Sequence, residues 1–135
     1  MKKSLLVLIS LLFISNLQAN PAEDKAQLKA NMRAMLQSME MIQKGGFYAK
    51  PEMMKEGVLN LKDAIKLLDN DHAKKYLPQE EKYAEKFAAK RAKMIIMYAE
   101  DITTSLNEEN MDDALEDYSQ ILRQCSSCHL RIRKW

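Results

Sequence analysis

The residues with the most chemistry to offer sit near the C-terminus, in the run Cys125-Ser126-Ser127-Cys128-His129. Two thiols at this spacing followed directly by an imidazole form C-x-x-C-H, the pattern through which a haem is tethered covalently. In that chemistry Cys125 and Cys128 each add to a haem vinyl group as a thioether, and His129 reaches the iron from one face. On a helix, residues three and four apart share a face, so one turn can hold the ring edge and present a nitrogen to the metal. Rival readings fit less well. A structural zinc site takes four ligands, and the chain has two Cys and two His, the second being His72 far away in sequence. A thioredoxin-like C-x-x-C belongs beside a βαβ pattern, and no strand pattern is present. A disulfide between Cys125 and Cys128 within a helix conflicts with the Cβ placement a bridge needs.

The elements that must position this motif are helical. Three Gly and three Pro in 135 residues, with abundant Ala, Leu, Lys, Glu and ten Met, favour helix over sandwich or barrel. From Ala22 to Lys44, residues Leu28, Met32, Met35, Met39 and Ile42 recur at steps of four and three, and Gly45-Gly46 is expected to end the stretch. Pro51 opens a second stretch with Met54, Val58, Leu61, Ile65 and Leu68 inside. A polar connection from Asp71 to Pro78 leads to a third, from about Gln79 to Ser105, with Tyr83, Phe87, Met94, Tyr98 and Ile102 as its expected inner side. Asn110 reads as the N-cap of a fourth, whose stripe is Met111, Leu115, Tyr118, Leu122, Cys125, His129 and Ile132. Four amphipathic stretches with short links predict an all-α fold, an antiparallel up-down-up-down four-helix bundle.

Ahead of the bundle, Lys2 and Lys3 precede an apolar run from Leu5 to Leu17, and Ala19 offers a small-residue exit. This describes a secretory signal peptide over residues 1–19, too short to span a bilayer, leaving residues 20–135 as the mature domain in the periplasm. No Cys follows the run, which disfavours a lipid anchor. The two leading lysines account for the excess of 21 Lys+Arg over 19 Asp+Glu, so the mature chain is neutral and carries no nucleic-acid footprint. Export and C-x-x-C-H support each other, because haem of this type is attached after translocation.

Export, four helices and a C-x-x-C-H on the last of them resemble the class II c-type cytochromes, the cytochrome c-prime-like bundles. The likeness covers essentially residues 20–135, and its specific part is the motif with its C-terminal placement. The first helix also resembles that of the soluble periplasmic b-type cytochrome with the same bundle: Asn31-Met32 is followed by Met35, Met39 and Ile42. The resemblance implies one covalent haem c, His129 as proximal iron ligand and Met32 as distal ligand. Bundle topology points the same way, since the start of the first helix meets the end of the fourth. Met35 is the main competitor, Met39 would sit about 10 Å further along the axis, and Met41 falls off the stripe.

Ligation divides the functional expectation. His/Met ligation suits a single-electron carrier working with periplasmic redox partner proteins. An open distal face suits a five-coordinate cytochrome c-prime-like protein binding nitric oxide or another small gas. The resemblance also allows a homodimer, since many related bundles pair through their first two helices, and no exposed stripe decides it. No nucleophile–base–orienter set is present, so no enzyme activity is expected. Arg123, Arg131, Arg133 and Lys134 suit either haem carboxylates, an acidic partner, or simply a helix C-terminus. Trp135 reads as a lid or a terminal aromatic, Tyr98 and Tyr118 as core, and His72 as a loop residue.

Overall fold

The alternating steps of four and three along the first two stretches do produce helices whose large apolar side chains face inward. The computed structural model describes residues 21–68, 73–74, 76–78 and 83–133. Among them are four α-helices, α1 (Pro21–Phe47), α2 (Pro51–Ile65), α3 (Ala84–Asn107) and α4 (Met111–Cys128), and no strand. A short 3-10 turn, Lys66–Leu68, extends α2, and a wider π-helical turn, His129–Arg133, extends α4. The helices form a four-helix bundle in which α1 packs chiefly on α2 and α3 chiefly on α4. Residues 1–20, and with them the expected signal peptide, lie outside the described residues, as do His72, Lys134 and Trp135.

On α1 and α2 the buried residues are those the spacing selects. Met35, Met39 and Ile42 meet Met54, Val58, Leu61 and Ile65, and Leu28 and Met32 pack at the margin. The Gly45-Gly46 stop is corrected: α1 runs through both glycines to Phe47. Their role is close approach, because a Cβ on Gly45 would lie 2.5 Å from Met54 Cγ, and one on Gly46 would lie 2.5 Å from Leu115 Cδ2. The helix instead ends on Ala49, with φ of 51°, where Lys50 N–H donates to Gly45 O and Ala49 N–H to Gly46 O. That pair of bonds is a Schellman motif. The same device ends α3 at Glu109, φ 58°, with Asn110 N–H on Ser105 O. Asn110 then caps α4 as expected, its side chain accepting from Asp113 N–H at 3.2 Å.

Gly57 marks another close approach, between the middle of α2 and α1. A Cβ there would lie 2.8 Å from Ile42 Cγ1 and 3.0 Å from both Ile42 N and Ser38 O. Overpacking a core costs ~1–3 kcal/mol, while alanine returns at most ~1 kcal/mol of helix propensity. Gly57→Ala is therefore expected to destabilise by up to about 2 kcal/mol, read as a lower urea midpoint at unchanged slope.

On α3 and α4 the expected stripes lie mostly one position to the side of the buried line, although Ile102 is fully buried as expected and Met111, Leu115, Tyr118 and Cys125 pack against the core. Tyr83 is 58% exposed, and Phe87, Met94 and Tyr98 are only half-buried. The innermost line of α3 is Ala84, Ala88, Ala92, Ile95, Ala99, Ile102 and Leu106. On α4 it is Ala114, Ile121 and Gln124, while Leu122 is 49% exposed. Residue i+1 lies 100° around a helix, so small alanines can take the centre while larger neighbours wrap the flanks. The alanine face of α3 leaves room inside the bundle, and that room becomes the site.

Candidate functional site

A cleft of about 530 Å³ opens at the end of the bundle where α1 starts and α4 finishes, a volume within the range of small-molecule and cofactor sites. Four helices build it. Met32, Met35, Leu36 and Met39 come from α1, Ile65 with Leu68 from the end of α2, Ala88, Ala92 and Ile95 from α3, and Leu122 from α4. Cys125, Cys128 and His129 line the same cleft. The structure thus brings together the two cysteines, the histidine and the methionine that the sequence singled out to tether and ligate a haem, although Met32 and His129 lie 97 positions apart. Met35 and Met39 also face it, at 8% and 7% exposure. Met41 does not line it; its Sδ lies 3.8 Å from Asn60 Nδ2 on the α2 side.

Each element has a local reason for its placement. Asn31 Nδ2 donates to Ala64 O, a carbonyl in the last turn of α2, at 2.8 Å. This bond pins the first half of α1 against the end of α2 and fixes the position of the adjacent Met32. Tyr76 Oη donates to Gln27 Oε1 at 3.0 Å and ties the connecting segment to α1 one turn earlier. On α4, the backbone widens at His129, just after the cysteines, and its N–H reaches both Cys125 O and Ser126 O. Single π-helical turns of this kind are concentrated at functional positions.

The thiols are free and half-buried. Burial pushes Cys125 up to about 11, with Cys128 beside it adding to the effect. Burial also raises Cys128, opposed by the positive charge of Arg91. Both are therefore thiols rather than thiolates at neutral pH. Among the described residues no three His, Cys, Asp or Glu side chains gather in a way that would hold a metal ion.

Arg91 is the site residue that sequence reasoning passed over. It lines the cleft from the inner side of α3, three residues after Ala88 and four before Ile95. Its Nη1 donates to Gln124 Oε1 at 2.6 Å, and its guanidinium lies 4.7 Å from the centre of the Phe87 ring. Its Nε is buried and has no hydrogen-bond partner among the described residues. Buried donors are almost always paired, so this atom suits an occupant that carries an acceptor. The signal was available, because Arg91 interrupts the lysines Lys86, Lys90 and Lys93 on the alanine side of the helix.

The remaining basic residues divide. Arg131 lies over the same Phe87 ring at 5.1 Å, and Arg123 is exposed. Tyr98 and Tyr118 pack against the core.

An apolar cleft, two un-ionised thiols at C-x-x-C spacing, an adjacent imidazole, thioethers on the facing helix and an unpaired arginine N–H fit a haem with its two vinyl and two carboxylate groups. Cys125 and Cys128 would hold it, with His129 and Met32 supplying nitrogen and sulfur to its iron. No family model, curated protein or solved structure matches the chain.

Proposed function

We propose that the chain is an exported monohaem c-type cytochrome of the class II kind, an up-down-up-down bundle that carries single electrons between periplasmic redox partners. The observation that carries the reading is the convergence of Met32 with Cys125, Cys128 and His129 on one apolar cleft. The helix pairings support the topology. Contacts step back along α1 from Gly45 to Asn31 as they step forward along α2 from Met54 to Ala64. They step forward on α3 from Phe87 to Arg91 as they step back on α4 from Arg131 to Gln124. Among the described residues no helix is long and apolar enough to cross a membrane.

Haem held in the cleft supplies a one-electron couple at its iron. The chain's part is to anchor, ligate and shield. Cys125 and Cys128 would hold the group through their sulfurs, each S–H being of the kind that can add across a vinyl group to leave a thioether. His129 would offer an imidazole nitrogen and Met32 a thioether sulfur to the iron, a ligand pair that would leave no place for a small ligand and would raise the potential. Met35, Met39, Ile65, Leu68 and Ile95 keep water from the ring.

The test is the visible spectrum of the purified protein, oxidised and reduced, with and without carbon monoxide. A low-spin spectrum with the weak red Met–iron band, indifferent to carbon monoxide, is expected. A colourless protein overturns the cytochrome reading. A high-spin spectrum that shifts on carbon monoxide overturns the carrier and replaces it with a five-coordinate gas-binding protein.

A further inference from the structure

Arg91 is held in place more firmly than solvation alone requires. Gln124, which receives its Nη1, is 6% exposed and is itself tethered through Nε2 to Gln120 O at 3.3 Å. The Phe87 ring supports the guanidinium from another side. No carboxylate lies within ion-pair distance of Arg91 among the described residues. A guanidinium is a permanent cation, so this part of the cleft carries a fixed positive charge with no carboxylate partner among the described residues.

We infer that Arg91 sets the redox poise of the cleft by favouring the reduced state of the iron, an inference that rests on the haem reading above. Oxidised iron carries one more positive charge than reduced iron. A fixed cation nearby raises the free energy of the oxidised form more than that of the reduced form. For any two unit charges ~10 Å apart at an effective dielectric of ~20, Coulomb's law makes such a difference about tenfold in a one-electron equilibrium. The electron comes from a redox partner in the cell and from dithionite in a titration. Arg91 acts as a tuning residue: a carboxylate taken by its Nε–H would offset part of its charge, and removing the guanidinium would still leave the cleft one positive charge poorer.

The experiment is a mediated potentiometric titration of haem-loaded wild type, Arg91→Gln, Arg91→Met and Arg91→Lys, with covalent haem content measured for each. The neutral variants are expected to shift about tenfold towards the oxidised form, equivalent to about 59 mV for one electron. Arg91→Lys is expected to keep most of the wild-type poise. Neutral variants that hold haem, keep the wild-type spectrum and stay within threefold of the wild-type equilibrium overturn the inference. Arg91→Lys falling as far as the neutral variants also overturns it, because charge is then not the cause. If neither neutral variant holds haem, Arg91 serves assembly and the inference falls. A wild type without covalent haem fails the underlying reading instead.

Discussion

Combining Cys125→Ala with Cys128→Ala is expected to abolish covalent haem, leaving none on the chain after extraction with acidified organic solvent. The thiols share one α-helical turn on the cleft wall, and no other Cys exists in the chain to replace them. Each sulfur consumes one vinyl group, so the single variants should retain haem through one thioether. Their reduced absorption should move to longer wavelength, because one vinyl group stays conjugated with the ring. Serine for cysteine would keep the size and lose the bond in the same way. The effect is all-or-none by mass: the wild type runs heavier than its polypeptide by one haem, and the double variant runs at polypeptide mass. Covalent haem surviving in the double variant would sink the attachment claim.

How far these features were legible depends on side-chain size. On α1 and α2 the inward positions carry Met, Ile, Leu and Val, so periodicity finds both the helices and their buried faces. On α3 the inward positions include Ala84, Ala88, Ala92 and Ala99, which add little to an apolar stripe, and the larger Tyr83, Phe87, Met94 and Tyr98 draw the reading one position aside. The error hid the reason a cleft exists, because Ala88 and Ala92 are the small residues that keep its α3 wall back. It also hid Arg91, which lies on the same turn. The motif was legible because it depends on spacing within one turn, whereas the π-helical widening after it leaves no mark in composition. Glycine misled for a related reason: Gly45 and Gly46 serve the approach of Met54 and Leu115, and the left-handed residue that ends α1 is Ala49.

Met32→Ala is expected to convert a low-spin spectrum to a high-spin one, open the iron to carbon monoxide, and lower the reduction potential by more than about 59 mV, a factor of ten. Three methionines face the cleft from α1, and their order along the axis separates them. Met35 is ~4.5 Å and Met39 ~10.5 Å deeper than Met32 at 1.5 Å per residue. His129 lies at the extreme end of α4, so the residue nearest the start of α1 is its natural opposite. Burial separates them as well. Met35 and Met39 are almost wholly enclosed by core neighbours, while Met32 is partly exposed and packs only at the core's margin. Met35→Ala is therefore expected to keep the low-spin spectrum and lose ~2–5 kcal/mol of stability, as core truncations of Met do. The two variants exchange their signatures if Met35 is the ligand. If Met32→Ala stays low-spin and inert to carbon monoxide while Met35→Ala turns high-spin, the assignment moves one turn inward. If neither changes the spectrum of a high-spin wild type, the methionines are packing, and the distal side of the cleft is a pocket for gas.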